Sequence, residues 1–218
     1  MAEFELPLLC LVTDRRRCRG REIEDVVAAA VEGGAGMVQL RERDLPAGRL
    51  YGLARRLREI TRGRALLLVN DRVDVALAAG ADGVQLPEDG LGVEAARGTG
   101  GGRLLVGRSV HSVEGAIAAE AEGADLVLVG AIFETMSHAN VEPQGADLLR
   151  QVSRRVDVPL LAIGGVTEEN VDVVFESGAS GAAVITAIAE SDYPLEAARG
   201  LVRRMDRAWT RTGVARRA

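Results

Sequence analysis

The chain has two cysteines, two histidines and no long apolar run. Cys10 and Cys18 are too few for a disulfide framework, and C-x7-C is not a metal spacing. His111 and His138, with no glutamate or cysteine at ligand spacing, make a poor zinc set. No stretch of 18 charge-free apolar residues exists, which excludes a membrane-spanning helix. A secretory leader places basic residues before its apolar core. Here acids come first and Arg15-Arg16-Arg17 follow the apolar run, so the expected compartment is the cytoplasm. A net charge of −5 offers no basic surface to a nucleic acid. The apolar share of 47% and charged share of 27% exclude general disorder. What the chain has in excess is glycine, 26 of 218 residues, and tight turns and backbone anion sites are its obvious uses.

Eight short apolar runs lie at 8–13, 37–41, 65–70, 83–86, 104–109, 126–130, 160–163 and 181–185. They are rich in valine and leucine and mostly do not alternate, as strands covered on both faces read. Amphipathic segments separate them. In 21–32, the residues Ile23, Val26, Val27, Ala30 and Val31 recur at helical spacing; 112–122, 168–176 and 195–209 follow suit, and the helix after the fourth run is short. A repeat supports the count. Gly34-Ala35-Gly36, Gly80-Ala81-Asp82, Gly123-Ala124-Asp125 and Gly178-Ala179-Ser180 each precede an even-numbered run, so each period is two βα units. In each, a glycine with positive φ ends a helix before the chain turns into a strand. No glycine fingerprint follows the first run, where Thr13-Asp14-Arg15 stands, and this argues against an open doubly wound sheet. The expected fold is therefore an α/β (β/α)8 TIM barrel, one domain over 1–218 with residues 211–218 frayed.

A barrel carries its site at the C-terminal strand ends, and polar residues gather there. Arg41 and Arg43 alternate after run two and would share one face to clamp a phosphate if the strand persists. Asn70-Asp71 offers a hydrogen bonder and a hard oxygen ligand for Mg²⁺, or else an N-cap for the third helix. Gly164-Gly165 after run seven, with Thr167 capping the next helix, and 181–187 after run eight form the expected phosphate site, built from backbone N–H groups. The alternative is close packing by small residues. His111 and His138 both fall on the rim and can do acid–base work. Ser109-Val110-His111 lacks a nucleophile elbow and an acidic third member, which excludes a hydrolytic triad.

Eight segments in order resemble the thiamine phosphate synthase family and its TenI-type thiazole tautomerase branch. They are Val12-Thr13-Asp14, Val38-Gln39-Leu40-Arg41-Glu42-Arg43, Val69-Asn70-Asp71-Arg72, Gly80-Ala81-Asp82-Gly83-Val84-Gln85-Leu86, Ser109-Val110-His111-Ser112, Phe133-Glu134-Thr135, Ala162-Ile163-Gly164-Gly165-Val166 and Ala183-Val184-Ile185-Thr186-Ala187-Ile188. The resemblance spans roughly residues 8–190. It implies a TIM barrel, usually dimeric, acting on small-molecule phosphates in thiamin biosynthesis. The synthase joins thiazole phosphate to a pyrimidine pyrophosphate with Mg²⁺. By that resemblance Gln39, Arg41, Arg43 and Asn70 face the pyrimidine pyrophosphate, Asp71 holds Mg²⁺ and Ser109 touches the pyrophosphate. Thr135 and the backbone of Gly165, Ile185 and Thr186 hold the thiazole phosphate.

The chain departs from the synthase pattern in three places. A lysine becomes Arg43, a second metal aspartate falls on Gly90 unless Asp89 takes its place, and the lysine of Thr-x-Thr-Lys becomes His138. The spellings at 109–112 and 133–135 are similar to the tautomerase branch, although that branch's histidine after strand six is Ala131 here. The favoured expectation is a cofactor-free tautomerase using His111 or His138, with Arg41, Arg43 and Ser109 at the reacting end. The alternatives are a Mg²⁺-dependent synthase with Asp71 and Asp89 as ligands, and a non-catalytic phosphate sensor.

Overall fold

The computed structural model describes residues 4–135 and 142–212. Eight parallel strands close into a barrel in sequence order: β1 (Leu8–Val12), β2 (Met37–Leu40), β3 (Leu66–Asn70), β4 (Gly83–Leu86), β5 (Leu105–Val110), β6 (Leu126–Val129), β7 (Leu160–Ile163) and β8 (Gly181–Val184). β8 pairs back onto β1 through Leu8–Gly181 and Leu11–Val184. Each strand lies within two residues of its apolar run. The helices are α1 (Ile23–Glu32), α2 (Ala47–Thr61), α3 (Val73–Ala79), α4 (Val93–Thr99), α5 (Val113–Ala121), α6 (Gly145–Val152), α7 (Val171–Glu176), a short α8 (Thr186–Ala189) and the long α9 (Pro194–Thr212). This is the (β/α)8 TIM barrel that the alternation predicts. None of the described helices is long and apolar enough to cross a membrane.

Both faces of the strands are covered, which is why they do not alternate. Inward side chains such as Cys10, Val12, Met37, Leu68, Leu128 and Leu161 fill the barrel, with Phe4 and Leu6 packed against them. The outward residues Leu9, Leu11, Val38, Val69 and Val127 meet the apolar stripes of the helices. Cys10 is a free, fully buried thiol, and burial pushes its pKa up to about 12, so it is an inert packing group.

The repeated glycine turn is real. Gly34, Gly80, Gly123 and Gly178 have φ of 102°, 66°, 89° and 95°, where an L side chain would strain the turn. The aspartate that follows in two copies staples the floor. Asp82 Oδ2 accepts from the Leu67 N–H at 2.7 Å and from Arg58 at 2.7 Å. Asp125 Oδ2 does the same for the Val106 N–H at 2.8 Å and Arg97 at 2.7 Å. One carboxylate thus ties an even-numbered strand to the odd-numbered strand before it and to an outer helix.

Two sequence expectations need correction. Arg211 and Thr212 belong to α9 rather than to a frayed tail: Trp209 packs edge-on against Phe175 at 6.1 Å, and Arg211 pairs with Asp172 and Glu176. Neither Asn70 nor Asp71 caps α3, whose cap position is Arg72 with no side-chain cap bond.

Candidate active site

The strand ends open into two clefts with shared walls. The larger, about 450 Å³, is lined by Gln39, Arg41, Arg43, Asn70, Asp89, Ser109 and His111, among others. The smaller, about 130 Å³, is lined by His111, Thr135, Gly164, Gly165, Thr167, Ile185 and Thr186, together with neighbours on β6–β8. His111, Gly130, Ile163 and Ile185 belong to both.

The larger cleft is built from side chains. Two side-chain pairs, one amide to amide and one amide to hydroxyl, bridge neighbouring strands here. Gln39 Nε2 donates to Asn70 Oδ1 at 3.0 Å, and Gln85 Nε2 donates to Ser109 Oγ at 3.1 Å. Gln39 is 3% exposed and Gln85 2%, so these amides need partners and are set before any ligand arrives. Gly107 is required by this layer, because a Cβ there would collide with the Gln85 amide oxygen.

β2 ends at Leu40, so Arg41 and Arg43 do not share a strand face as predicted. They line the cleft nonetheless, and Glu42 between them explains how. Glu42 is 5% exposed. Its carboxylate accepts from the Arg15 backbone N–H at 3.0 Å and from the Arg15 guanidinium at 2.7 Å. Arg15 also makes a two-pronged pair with Asp44 at 2.7 and 2.6 Å, joined by Arg16. This latch binds the turn Arg15–Arg17 to residues 42–44, and the Arg41 N–H donates to buried Thr13 Oγ1 at 2.9 Å. Burial lowers the Arg41 pKa and the neighbouring Arg43 lowers it further, against opposition from Asp14 and Glu42. An arginine stays protonated regardless, so the pair forms a site that a bound anion stabilises.

Asp71 sits in the left-handed region at φ 64°. Its N–H donates to Gln85 O at 2.9 Å, and the Arg72 N–H to Asn70 O at 2.8 Å, which hold the unusual backbone in place. A Cβ built on Gly90 would lie 3.1 Å from Asp71 Oδ1, but also 2.8 Å from the Pro87 ring. Pro87 therefore takes the room that a side chain at position 90 would need, and Asp89 and Glu88 are the carboxylates of that loop lining the cleft. No group of three or more His, Cys, Asp or Glu able to hold a metal gathers among the described residues. Asp71 is not among the residues lining either cleft, whereas Asp89 lines the larger one; one or two carboxylates are what Mg²⁺ commonly takes from protein when substrate phosphates supply the remaining oxygens.

The smaller cleft is built from backbone. Gly164 and Gly165 have φ of 100° and 64°. A Cβ on Gly164 would lie 2.7 Å from Ala131, and one on Gly165 would collide with the Glu134 carbonyl oxygen and approach Phe133 Cβ at 2.8 Å. Close packing thus demands these glycines, while their main chain forms the cleft wall. Phe133 N–H donates to Gly164 O at 2.9 Å. Thr167 does not cap α7. Asn170 braces the loop instead, accepting from the Thr167 N–H at 2.9 Å and donating to Gly165 O at 2.8 Å. Opposite, α8 starts at Thr186, and the first N–H groups of a helix have no internal partner. Loops after strands seven and eight plus a short extra helix are the recurrent phosphate site of such barrels.

His111 stands at the seam. Glu88 Oε2 lies 2.6 Å from its Nδ1, and Glu88 Oε1 accepts its backbone N–H at 3.2 Å. The sequence reading missed Glu88, Glu42 and Gln85 as working residues. Their partners lie 23 to 27 residues away, so only the closed barrel brings them together. His138 lies outside the described residues.

A charged cleft beside a glycine-lined cleft on one barrel rim is the site to which the comparisons apply. Comparison makes the assignment specific. Residues 9–188 match the family model described as thiamine monophosphate synthase, and the chain belongs to that family. A thiamine-phosphate synthase of Haloarcula marismortui is 42% identical over 196 residues, covering 88% of this chain and 93% of that one. One from Clostridium novyi is 39% identical over 186 residues, 84% and 91%. The solved structure of a thiamine phosphate pyrophosphorylase from Pyrococcus furiosus superposes with a TM-score of 0.85 at 37% identity, covering 92% of this chain and 96% of that one.

Proposed function

We propose that the chain is a thiamine-phosphate synthase, joining a thiazole phosphate to a pyrimidine pyrophosphate with release of pyrophosphate. This reverses the sequence-based preference for a tautomerase. The observation that carries it is the second cleft. A tautomerase moves a proton on one monophosphate and needs one anion pocket, whereas Arg41, Arg43, Asn70, Asp89 and Ser109 line a second and larger one that adjoins it. The relatives named synthases weigh the same way.

In this reading the glycine loop and α8 hold the thiazole phosphate, and Thr135 lines that end. Gln39 and Asn70 orient the pyrimidine, while Arg41, Arg43 and Ser109 bind the pyrophosphate. Asp71 and Asp89 would hold Mg²⁺, which when bound neutralises pyrophosphate charge. Electrostatic stabilisation of the leaving anion is the main service such a site performs. The Gln39–Asn70 pair is set before the pyrimidine arrives, and fixing that substrate's orientation removes part of the entropic cost of the two substrates meeting. Charge on Asp44 is secured by Arg15 and Arg16, which hold its carboxyl well below the usual range, so the latch that supports Arg41 persists across the neutral range. We place the reaction in the cytoplasm on a homodimer, the latter checked by light scattering.

The test supplies both substrates with Mg²⁺ and detects thiamine phosphate by mass spectrometry. A parallel mixture supplies the thiazole carboxylate phosphate tautomer alone. Product in the first mixture is expected. Isomerisation in the second without coupling in the first would return the tautomerase reading.

A further inference from the structure

The chain contains no lysine: all 27 basic residues are arginine. A guanidinium remains protonated at any working pH and exchanges no proton with a substrate. Among the described residues lining the two clefts, His111 is the side chain whose ring nitrogens can both give and take a proton. It also belongs to the walls of both clefts.

Its support is built for one tautomer. A carboxylate against Nδ1 keeps the proton there and leaves Nε2 as the working nitrogen. Glu88 grips both the ring and the backbone of His111. Gly115, in the first turn of α5, leaves room for that carboxylate, since a Cβ there would come within 3.1 Å of Glu88 Oε1. A helix start favours an anion at this place. Arg108 pins the loop by donating to the carbonyls of Glu88 and Leu91, both at 2.7 Å. Besides Glu88 and His111, the charged residues lining the larger cleft are Arg41, Arg43 and Asp89 among the described residues, and Glu114 lies in the first turn of α5.

We infer that His111 is a catalytic residue that gives a proton to the departing pyrophosphate, and that Glu88 is the positioning residue that sets its tautomer. This rests on the synthase reading. As the bond between the pyrimidine methylene carbon and the pyrophosphate oxygen breaks, its electron pair stays on that oxygen. The imidazolium passes its Nε2 proton to the same oxygen. The thiazole nitrogen lone pair then forms the new C–N bond. The imidazole, still donating Nδ1–H to Glu88, regains a proton from water as pyrophosphate leaves.

The experiment uses the full chain labelled with ¹⁵N-histidine, with the two ring systems distinguished through His138→Gln. Neutral His111 is expected as the Nδ1–H tautomer, and inorganic pyrophosphate with Mg²⁺ is expected to move its Nε2 resonance. Glu88→Ala should shift the ring toward Nε2–H, and Glu88→Gln, which keeps an acceptor, should restore part of the original signal. In the coupling assay His111→Gln should lower kcat by about 10²–10⁴-fold, with KM changing far less. Wild-type kcat in His111→Gln, or an Nε2 signal indifferent to pyrophosphate, overturns the inference. If the wild-type chain couples nothing yet pyrophosphate moves Nε2, the contact between His111 and pyrophosphate is upheld, while the synthase reading falls and the proton transfer falls with it.

Discussion

The two clefts of one rim are made differently. Around β2–β5 the wall is side chain: guanidiniums, amides, carboxylates and a hydroxyl. Around β7–β8 the wall is main chain, held by glycines at positive φ against residues 131–135. The first region separates binding from folding, because a side chain can be removed while its strand stays. The second fuses them, because the atoms that would meet the phosphate are also those that turn the chain.

Four substitutions probe that contrast, the strongest first. Gly165→Val should cost roughly 2–5 kcal/mol of stability, combining a left-handed β-branched residue with overpacking against Glu134 and Phe133. Denaturant unfolding reads this directly, and normal stability with lost phosphate affinity would dissolve the contrast. Asp71→Ala should leave the fold intact and lower Mg²⁺-dependent turnover by about 10²-fold or more, since metal neutralisation of a transferring group is worth several kcal/mol. Turnover that keeps its Mg²⁺ response would move the metal elsewhere. Arg41→Ala should weaken pyrophosphate binding by about 1.5–3 kcal/mol, the worth of a charge-assisted bond, with an unchanged melting temperature. Calorimetry and thermal melts together check it. The smallest effect lies off the rim. Arg204 and Arg211 hold the Asp172 carboxyl below its usual range, which stabilises the fold above the ordinary carboxylate pKa of about 4. Asp172→Asn should be slightly less stable at pH 7, and the gap should close as pH falls through the lowered pKa. A gap that widens in acid would reverse the sign.

Much of the barrel is legible in the chain. The strands are continuous apolar runs because helices cover their outer face and other strands fill the inner one. The glycine turns betray the two-unit repeat because φ above zero excludes most other residues. Gln39, Arg41, Arg43, Asn70, Asp89 and Ser109 are readable as cleft residues because the end of a barrel strand has one place to go. Other roles were not legible. Asn70-Asp71 and Thr167 read as helix caps by local pattern, yet a cap depends on backbone angles that neighbouring strands impose. Asp71 is held at positive φ by its bond to Gln85 O, a partner on β4 rather than on its own helix. The glycine pair at 164–165 reads as bare backbone for a phosphate, while the steric demand comes from a segment 31 to 33 residues earlier that packs on it.

Residue chemistry and period were determined by the sequence alone: eight buried strands, two-unit glycine turns, a rim of arginines, amides and carboxylates, and a supply of cations with no lysine in it. These follow from local rules, namely burial, φ preference and charge. Tertiary structure alone decided the pairings. It placed Glu88 on His111, Glu42 on Arg15, Gln85 on Ser109 and Pro87 in the room beside Gly90. Each joins residues from different turns of the barrel or from opposite sides of a turn. Closure of the sheet sets their distance, and a hydrogen bond is decided by tenths of an ångström that no spacing along the chain encodes.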